Sequence, residues 1–554
     1  MSKHHVGPSQ RPSWLPSILF VWACVASGFS FYLLYLKPMA PPSQDARLPT
    51  VIEEPSGAEA ATTRKRNLIF MVSDGMGPAS LSMARNFQDY VEESDIGTTL
   101  FLDDHFLGNS RTKSDSSLIT DSAAGATAFS CGLKTYNGAI GVDPDSKPCG
   151  TVIEAAKEAG YLTGMVVTTF ITDATPASFS THAYDRSEQQ TIAAQLVGRD
   201  HLLGRNVDLL IGGGRCEFLP RSMGGCREDS RDLLKEATED GWSLATNRKE
   251  FDYLQGGRNV SLPLMALVSN GQIPFDIDRD DEQYPSLVET TKTAIRALSD
   301  ATKDSDKGFV LMIEGSRIDH AGHLNDPGAQ VYEVLAYDAA YKAAVEFASS
   351  ADVETVVIST SDHETGGLTV GRQVTEEYPE YVWYPEVLAS VERSTEHLAR
   401  RLRNYQPKSS EKRRHEMVKY IKHEILGPKG LNLSEIHRDD IRRVIHNRKN
   451  AQDVLSEILS VRAQIGWSTH GHTAVDVNVY GYAKDVSRLD VLRGGNENIE
   501  FATFVSEYLD LDLGVITDKL HSKLSNQTGA DSFNEPQEPG HLDAYHTGVS
   551  GFPV

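Results

Sequence analysis

Three short apolar runs, each closing on a carboxylate, constrain this chain more than any other feature. They occupy residues 68–74, 309–314 and 356–362, and end at Asp74, Glu314 and Asp362. Unbroken runs of this length, rich in β-branched residues, read as strands buried on both faces. Open α/β sheets place their ligand crevice just beyond the carboxyl ends of such strands. Each run continues into a turn rich in Gly or His: Gly75-Met76-Gly77, then Gly315-Ser316-Arg317-Ile318-Asp319-His320-Ala321-Gly322-His323, then His363-Glu364-Thr365-Gly366-Gly367. Further strand candidates lie at 162–168, 207–211, 264–268 and 475–482. The expected fold is α/β, with a large central, mostly parallel sheet flanked by helices on both faces.

The turns supply metal-binding chemistry. Asp74, Glu314, Asp319, His323, Asp362, His363 and His472 are candidate donors. Mixed imidazole and carboxylate sets suit zinc, and all-oxygen sets suit magnesium, so the donors suffice for both kinds of site. His363-Glu364 is not a metallopeptidase signal, because the second His expected four residues on is Gly367. Ser122 opens a run of small residues, Ala123-Ala124-Gly125-Ala126-Thr127. That places a hydroxyl at a helix N-terminus, where anions are favoured.

With these residues in order, the chain resembles the alkaline phosphatase family from about Arg66 to about Tyr508. The carriers are the Asp74-Gly75-Met76-Gly77 turn, Thr120-Asp121-Ser122-Ala123-Ala124, Asp173-Ala174-Thr175-Pro176, the 317–323 stretch and Asp362-His363-Glu364-Thr365-Gly366-Gly367. The resemblance implies an alkaline phosphatase-like catalytic domain at 65–513, with an inserted helical crown at about 369–465. It implies two Zn2+ and one Mg2+ per subunit. Asp319, His323 and His472 would hold one zinc; Asp74, Asp362 and His363, with Ser122, the other. Thr175 and Glu314 would hold the magnesium, bridged by Asp74. His470 is a second candidate, and His472 is chosen because the family's last zinc ligand is often followed by Thr. Arg186 would clamp the phosphate, while Asp173 and His320 would tune the magnesium site and the phosphate-bound water. Ser122 would become phosphoserine, and two displacements would retain configuration at phosphorus. The implied substrates are phosphate monoesters of broad kind, small molecules or phosphoproteins and phosphopeptides. A homodimer is implied too. Two alternatives remain: a phosphodiesterase of the same superfamily, and a catalytically idle metal-binding membrane protein.

Residues 18–36 are nineteen positions without a charge, long enough as a helix to cross ~28 Å of hydrocarbon. They read as an uncleaved signal anchor between a short cytoplasmic tail, 1–17, and a Pro-, Ala- and Ser-rich stalk, 37–64. The absence of an apolar C-terminal run argues against a glycolipid anchor. Resemblance to fungal relatives puts the body in the vacuole lumen, or elsewhere along the secretory pathway to the cell surface. It also makes the polar tail, 514–554, a candidate propeptide. Outside the span, Cys131, Cys149, Cys216 and Cys226 allow three disulfide connectivities, of which the sequence-near one pairs 131 with 149 and 216 with 226; four free thiols are the alternative. Asn259, Asn432 and Asn526 begin glycosylation sequons. Asp276, Asp278, Asp280 and Asp281 lack the Gly an EF-hand needs at its sixth position and read as a solvated loop. Basic clusters at 412–414 and 442–443 read as helix faces, since a net charge of −23 argues against a nucleic-acid partner.

Overall fold

The computed structural model describes residues 65–526, except 95, 96, 98 and 409–411. The candidate anchor, the stalk and everything after 526 lie outside the described residues. Among the described residues no helix is long and apolar enough to cross a membrane.

One sheet of ten strands organises the body. In chain order they are β1 Arg66–Val72, β2 Phe106–Arg111, β3 Leu162–Phe170, β4 Leu209–Gly213, β5 Ser243–Ala245, β6 Leu264–Leu267, β7 Phe309–Glu314, β8 Glu354–Thr360, β9 Val477–Tyr482 and β10 Gly494–Glu497. Their order across the sheet is β10-β2-β9-β8-β1-β7-β3-β4-β6-β5. All neighbours run parallel except β9, which is antiparallel to both β2 and β8.

The apolar runs become central strands because neither of their faces meets water. Leu68, Phe70 and Val72 of β1 join one core, with Val310, Met312, Val356 and Ile358. The alternate residues Ile69 and Met71 join the other, with Leu311, Ile313 and Val357. The first core is closed by helices Ser122–Cys131, Val152–Glu158, Ala174–Ser180, Gln189–Val197 and Glu500–Leu509. The second is closed by Pro78–Val91, Leu287–Ala301 and Pro327–Ser350.

Register then sets the position of the site. Val72 lies opposite Glu314 on one side and Thr360 on the other. The carboxyl ends of β1, β7 and β8 therefore finish level, and Asp74, Glu314 and Asp362 gather at one edge.

Between Thr369–Val370 and Ile465–Gly466, which pair antiparallel, the chain forms a largely helical excursion. It packs Leu398, Leu402, Leu455 and Leu459 into the second core. The acidic loop beside it is not simply solvated. Asp278 accepts a 3.0 Å bond from Ser394 N in the excursion, and Arg279 pairs with Asp276 and Asp281. Residues 514–526, placed above in the polar tail, continue the body as the helix Leu513–Asn526. Ile516 and Leu520 on it are buried against Ala155, which is the apolar spacing that holds it down. Cys131–Cys149 and Cys216–Cys226 are disulfide-bonded, the sequence-near connectivity. Loop closure of this size contributes roughly 2–4 kcal/mol per bridge.

Candidate active site

Ser122 is the first residue of the helix Ser122–Cys131. Asp121 caps that helix, its Oδ1 accepting from Ala124 N at 3.0 Å, a contact worth about 1 kcal/mol. Small residues are needed here because the helix packs closely on the end of β8. A Cβ on Gly125 would stand 3.2 Å from Asp362 Cβ. Ser122 is buried, and its Oγ lies 3.0 Å from His363 Nε2.

Around the hydroxyl the predicted donors form two triads. In the first, His323 Nε2 is 3.3 Å from Asp319 Oδ2, and His472 Nε2 is 3.5 Å from Asp319 Oδ1. In the second, His363 Nε2 is 3.2 Å from Asp362 Oδ2 and 3.6 Å from Asp74 Oδ1. The rings of His363 and His472 stack at 3.5 Å between centroids, so the triads adjoin. His470 stays outside the first triad; its Nδ1 donates to His323 O at 2.8 Å.

Several observations fit cations in this centre. His472 donates from Nδ1 to Thr120 O at 2.9 Å, and His323 donates from Nδ1 to His470 O. Each ring thus turns its Nε2, the nitrogen a metal would use, toward the centre, and those two nitrogens lie 3.1 Å apart. Asp74 Oδ1 and Asp362 Oδ2 are buried without a hydrogen-bond donor. Burial, then the charges of Asp362, Asp319 and Glu314, push the Asp74 carboxyl far up. Burial pushes Glu314 up to about 8, although the Ser316 and Thr175 hydroxyls oppose the rise. Carboxylates that repel one another in a dry site are stabilised by positive charge. The mixed imidazole–carboxylate triads suit zinc, and the Thr175, Glu314 and Asp74 oxygens suit magnesium.

Arg186 is buried, with Nη1 3.2 Å from Asp121 Oδ2 and Nη2 3.3 Å from Asp173 Oδ1. Asp173 in turn caps the helix Ala174–Ser180, which carries Thr175. His320 takes a 3.3 Å bond from Arg317 Nε. Burial and the Arg317 charge lower its pKa to about 4, so the ring is neutral.

Two contributors escaped the sequence reading. Asp121 links the Ser122 helix to Arg186; an acid directly before a candidate N1 serine was the available signal. Thr365 donates to Asp319 Oδ1 and lies 3.2 Å from His363 Nδ1, bridging the triads. A Thr inside a Gly-rich turn carries no comparable signal.

Known proteins share this arrangement of elements. The family model described as alkaline phosphatase matches residues 65–511. The repressible alkaline phosphatase of Saccharomyces cerevisiae is 51% identical over 88% of this chain and 88% of its own length. The solved cold-active alkaline phosphatase of Shewanella sp. superposes with a TM-score of 0.66 at 28% identity, over 80% of this chain and 99% of that one. A TAB5 alkaline phosphatase variant solved with Mg bound gives 0.55 at 26% identity, over 80% and 98%. With the family model spanning the whole sheet and both triads, this chain belongs to the alkaline phosphatase family.

Proposed function

We propose that this chain hydrolyses phosphate monoesters at alkaline pH through a phosphoserine on Ser122, with broad tolerance of the leaving group. The observation that carries the reading is the meeting of the Ser122 hydroxyl with two imidazole–carboxylate triads, next to an arginine held by two aspartates. Asp319, His323 and His472 would hold one zinc, and Asp74, Asp362, His363 and Ser122 the other. Thr175, Glu314 and Asp74 would hold magnesium, with Asp173 and His320 beside it. Such ions, when bound, stabilise the attacking and leaving oxygens of an in-line displacement. Ser122 Oγ attacks phosphorus as the bond to the leaving oxygen breaks. Arg186, its planar fork aimed by Asp121 and Asp173, takes up two phosphoryl oxygens. Water then displaces Ser122 from the opposite side, and the two inversions retain configuration.

A monoester dianion offers the fork more charge than a diester does. The kcat/KM for p-nitrophenyl phosphate should therefore exceed that for bis-p-nitrophenyl phosphate. Arg186→Ala should raise the monoester KM about 10- to 100-fold and narrow the gap. A wild type that prefers the diester would make the chain a phosphodiesterase; silence on both esters with zinc bound would make it an idle metal-binding protein.

Residues 18–36 would anchor a homodimer as a single-pass type II membrane protein, its catalytic body in the vacuole lumen. The support is the uncharged span and the resemblance to anchored fungal relatives. Asn259 and Asn526 are exposed, whereas Asn432 is half-buried with a φ of 49°. Glycan is thus expected at Asn259 and Asn526 before Asn432. In sealed vesicles the body should resist added protease and shift on endoglycosidase treatment; digestion without detergent would reverse the topology.

A further inference from the structure

Residues 181–186 run antiparallel to residues 136–142, forming a short ribbon. Ile140 and Ala183 exchange backbone bonds of 3.1 and 3.0 Å, and Arg186 N donates to Gly138 O at 2.8 Å. One end of the ribbon therefore sets the backbone position of Arg186. The other end is gripped by a cluster that the reaction scheme does not use, made of Glu154, His182 and His201. His182 Nδ1 donates to Gly141 O at 2.6 Å, and its Nε2 faces Glu154 Oε1 at 3.0 Å. His201 Nε2 faces the same oxygen at 3.2 Å, while Glu154 Oε2 accepts from Thr151 N at 2.8 Å. None of the three side chains is more than 2% exposed.

Two imidazoles and a carboxylate are also a zinc-type donor set. Here the donors are engaged with one another and with the backbone. Both nitrogens of His182 face acceptors, so both carry protons and the ring is a cation. His201 Nδ1 accepts from Leu203 N at 3.1 Å, which puts its single proton on Nε2, toward Glu154. Burial disfavours the His182 charge, but the Glu154 carboxylate outweighs it and the pKa rises. The cluster is a buried ion pair with a neutral histidine as its second donor.

At the point of grip the two backbones touch. Gly141 has a φ of +57°, and a Cβ there would meet Thr181 O at 2.2 Å. Displacement of Gly141 therefore moves the 181–186 segment with it, four residues from the guanidinium.

We propose that Glu154 and His182 are positioning residues for Arg186, the ion pair pinning the ribbon through Gly141 and so setting where the guanidinium meets the phosphoryl group. This rests on Arg186 being the phosphate clamp. Asp121 and Asp173 orient the fork; Glu154 and His182 set the height of the backbone from which it reaches.

The test uses the full chain in detergent, loaded with zinc and magnesium and assayed well below its melting temperature. Glu154→Gln removes the charge without changing shape. His182→Gln keeps the reach to Glu154 but releases Gly141. Either variant should raise the KM for p-nitrophenyl phosphate and the inhibition constant of inorganic phosphate about tenfold, with kcat changed less than about threefold. In an Arg186→Ala background the same substitutions should add little, because their effect passes through Arg186. A lower melting temperature with unchanged KM and phosphate inhibition would reduce the cluster to a stabilising core element. Loss of one zinc equivalent in Glu154→Gln would make it a metal site instead. If Arg186→Ala itself leaves KM and phosphate inhibition at wild-type values, the clamp reading fails, a result distinct from failure of Glu154 and His182 to position the ribbon.

Discussion

Ser122→Ala is expected to lower kcat/KM for a phosphate monoester on the order of 10³-fold or more, with almost no change in melting temperature. The fold tolerates the change because the helix does not depend on this hydroxyl. Asp121 supplies the cap through its own carboxylate, and Ala123 and Ala124 already occupy the same packed surface. The chemistry does not tolerate it, since no other hydroxyl stands at that position against His363 Nε2 among the described residues. Acid quenching of wild-type enzyme with labelled phosphate should trap a phosphoserine, and the variant should trap none. A variant that keeps wild-type turnover, or that still labels, would remove Ser122 from the mechanism.

Stripping the metals should abolish turnover, a loss on the order of 10³-fold or more, and should lower the melting temperature as well. The reason lies in the centre's own charges. Asp74, Glu314, Asp319 and Asp362 are all buried within it. Burial pushes Asp74 and Glu314 up; Asp319 stays low, against its own burial, only because His323, His472 and His363 surround it. Without cations that balance is poor. Asp319→Asn keeps the shape but removes the charge between His323 and His472, so one zinc per chain should be lost, read by elemental analysis beside activity. Zinc with magnesium should restore the stripped wild type, whereas magnesium alone should not, because imidazole nitrogens favour zinc. Full turnover in protein shown to be metal-free would overturn the assignment of the triads.

The strands at the centre of the sheet were legible because burial on both faces demands continuous apolar residues. β1, β7 and β8 match the expected runs to within a few positions, and β3, β4, β6 and β9 fall on predicted segments. The strands toward the edges were not. β2, Phe106–Arg111, carries Gly, Asn, Ser and Arg, and β10, Gly494–Glu497, has no apolar residue at all. Their pairing comes from neighbours hundreds of residues away, through backbone bonds that composition does not record. The tail showed the same limit. Ile516 and Leu520 are four residues apart on one helical face, a pattern too short to outweigh the polar residues around it.

For the site, the sequence by itself determined which chemistry was available. It named the carboxylates, imidazoles and serine at the ends of buried strands, since parallel strands can expose functional groups only where their hydrogen-bonded runs stop. Tertiary structure alone decided how those groups combine. Level register of β1, β7 and β8 brings Asp74, Glu314 and Asp362 together, and the Glu364–Thr365 to His472–Thr473 pairing carries His472 in from a hundred residues on. Spacing could not separate His470 from His472, because the choice depends on which ring turns its Nε2 toward Asp319. Nor could it show that Glu154 and His182 hold the backbone of Arg186. Proton placement on a buried imidazole follows from the donors and acceptors around it, and those are assembled only when the chain folds.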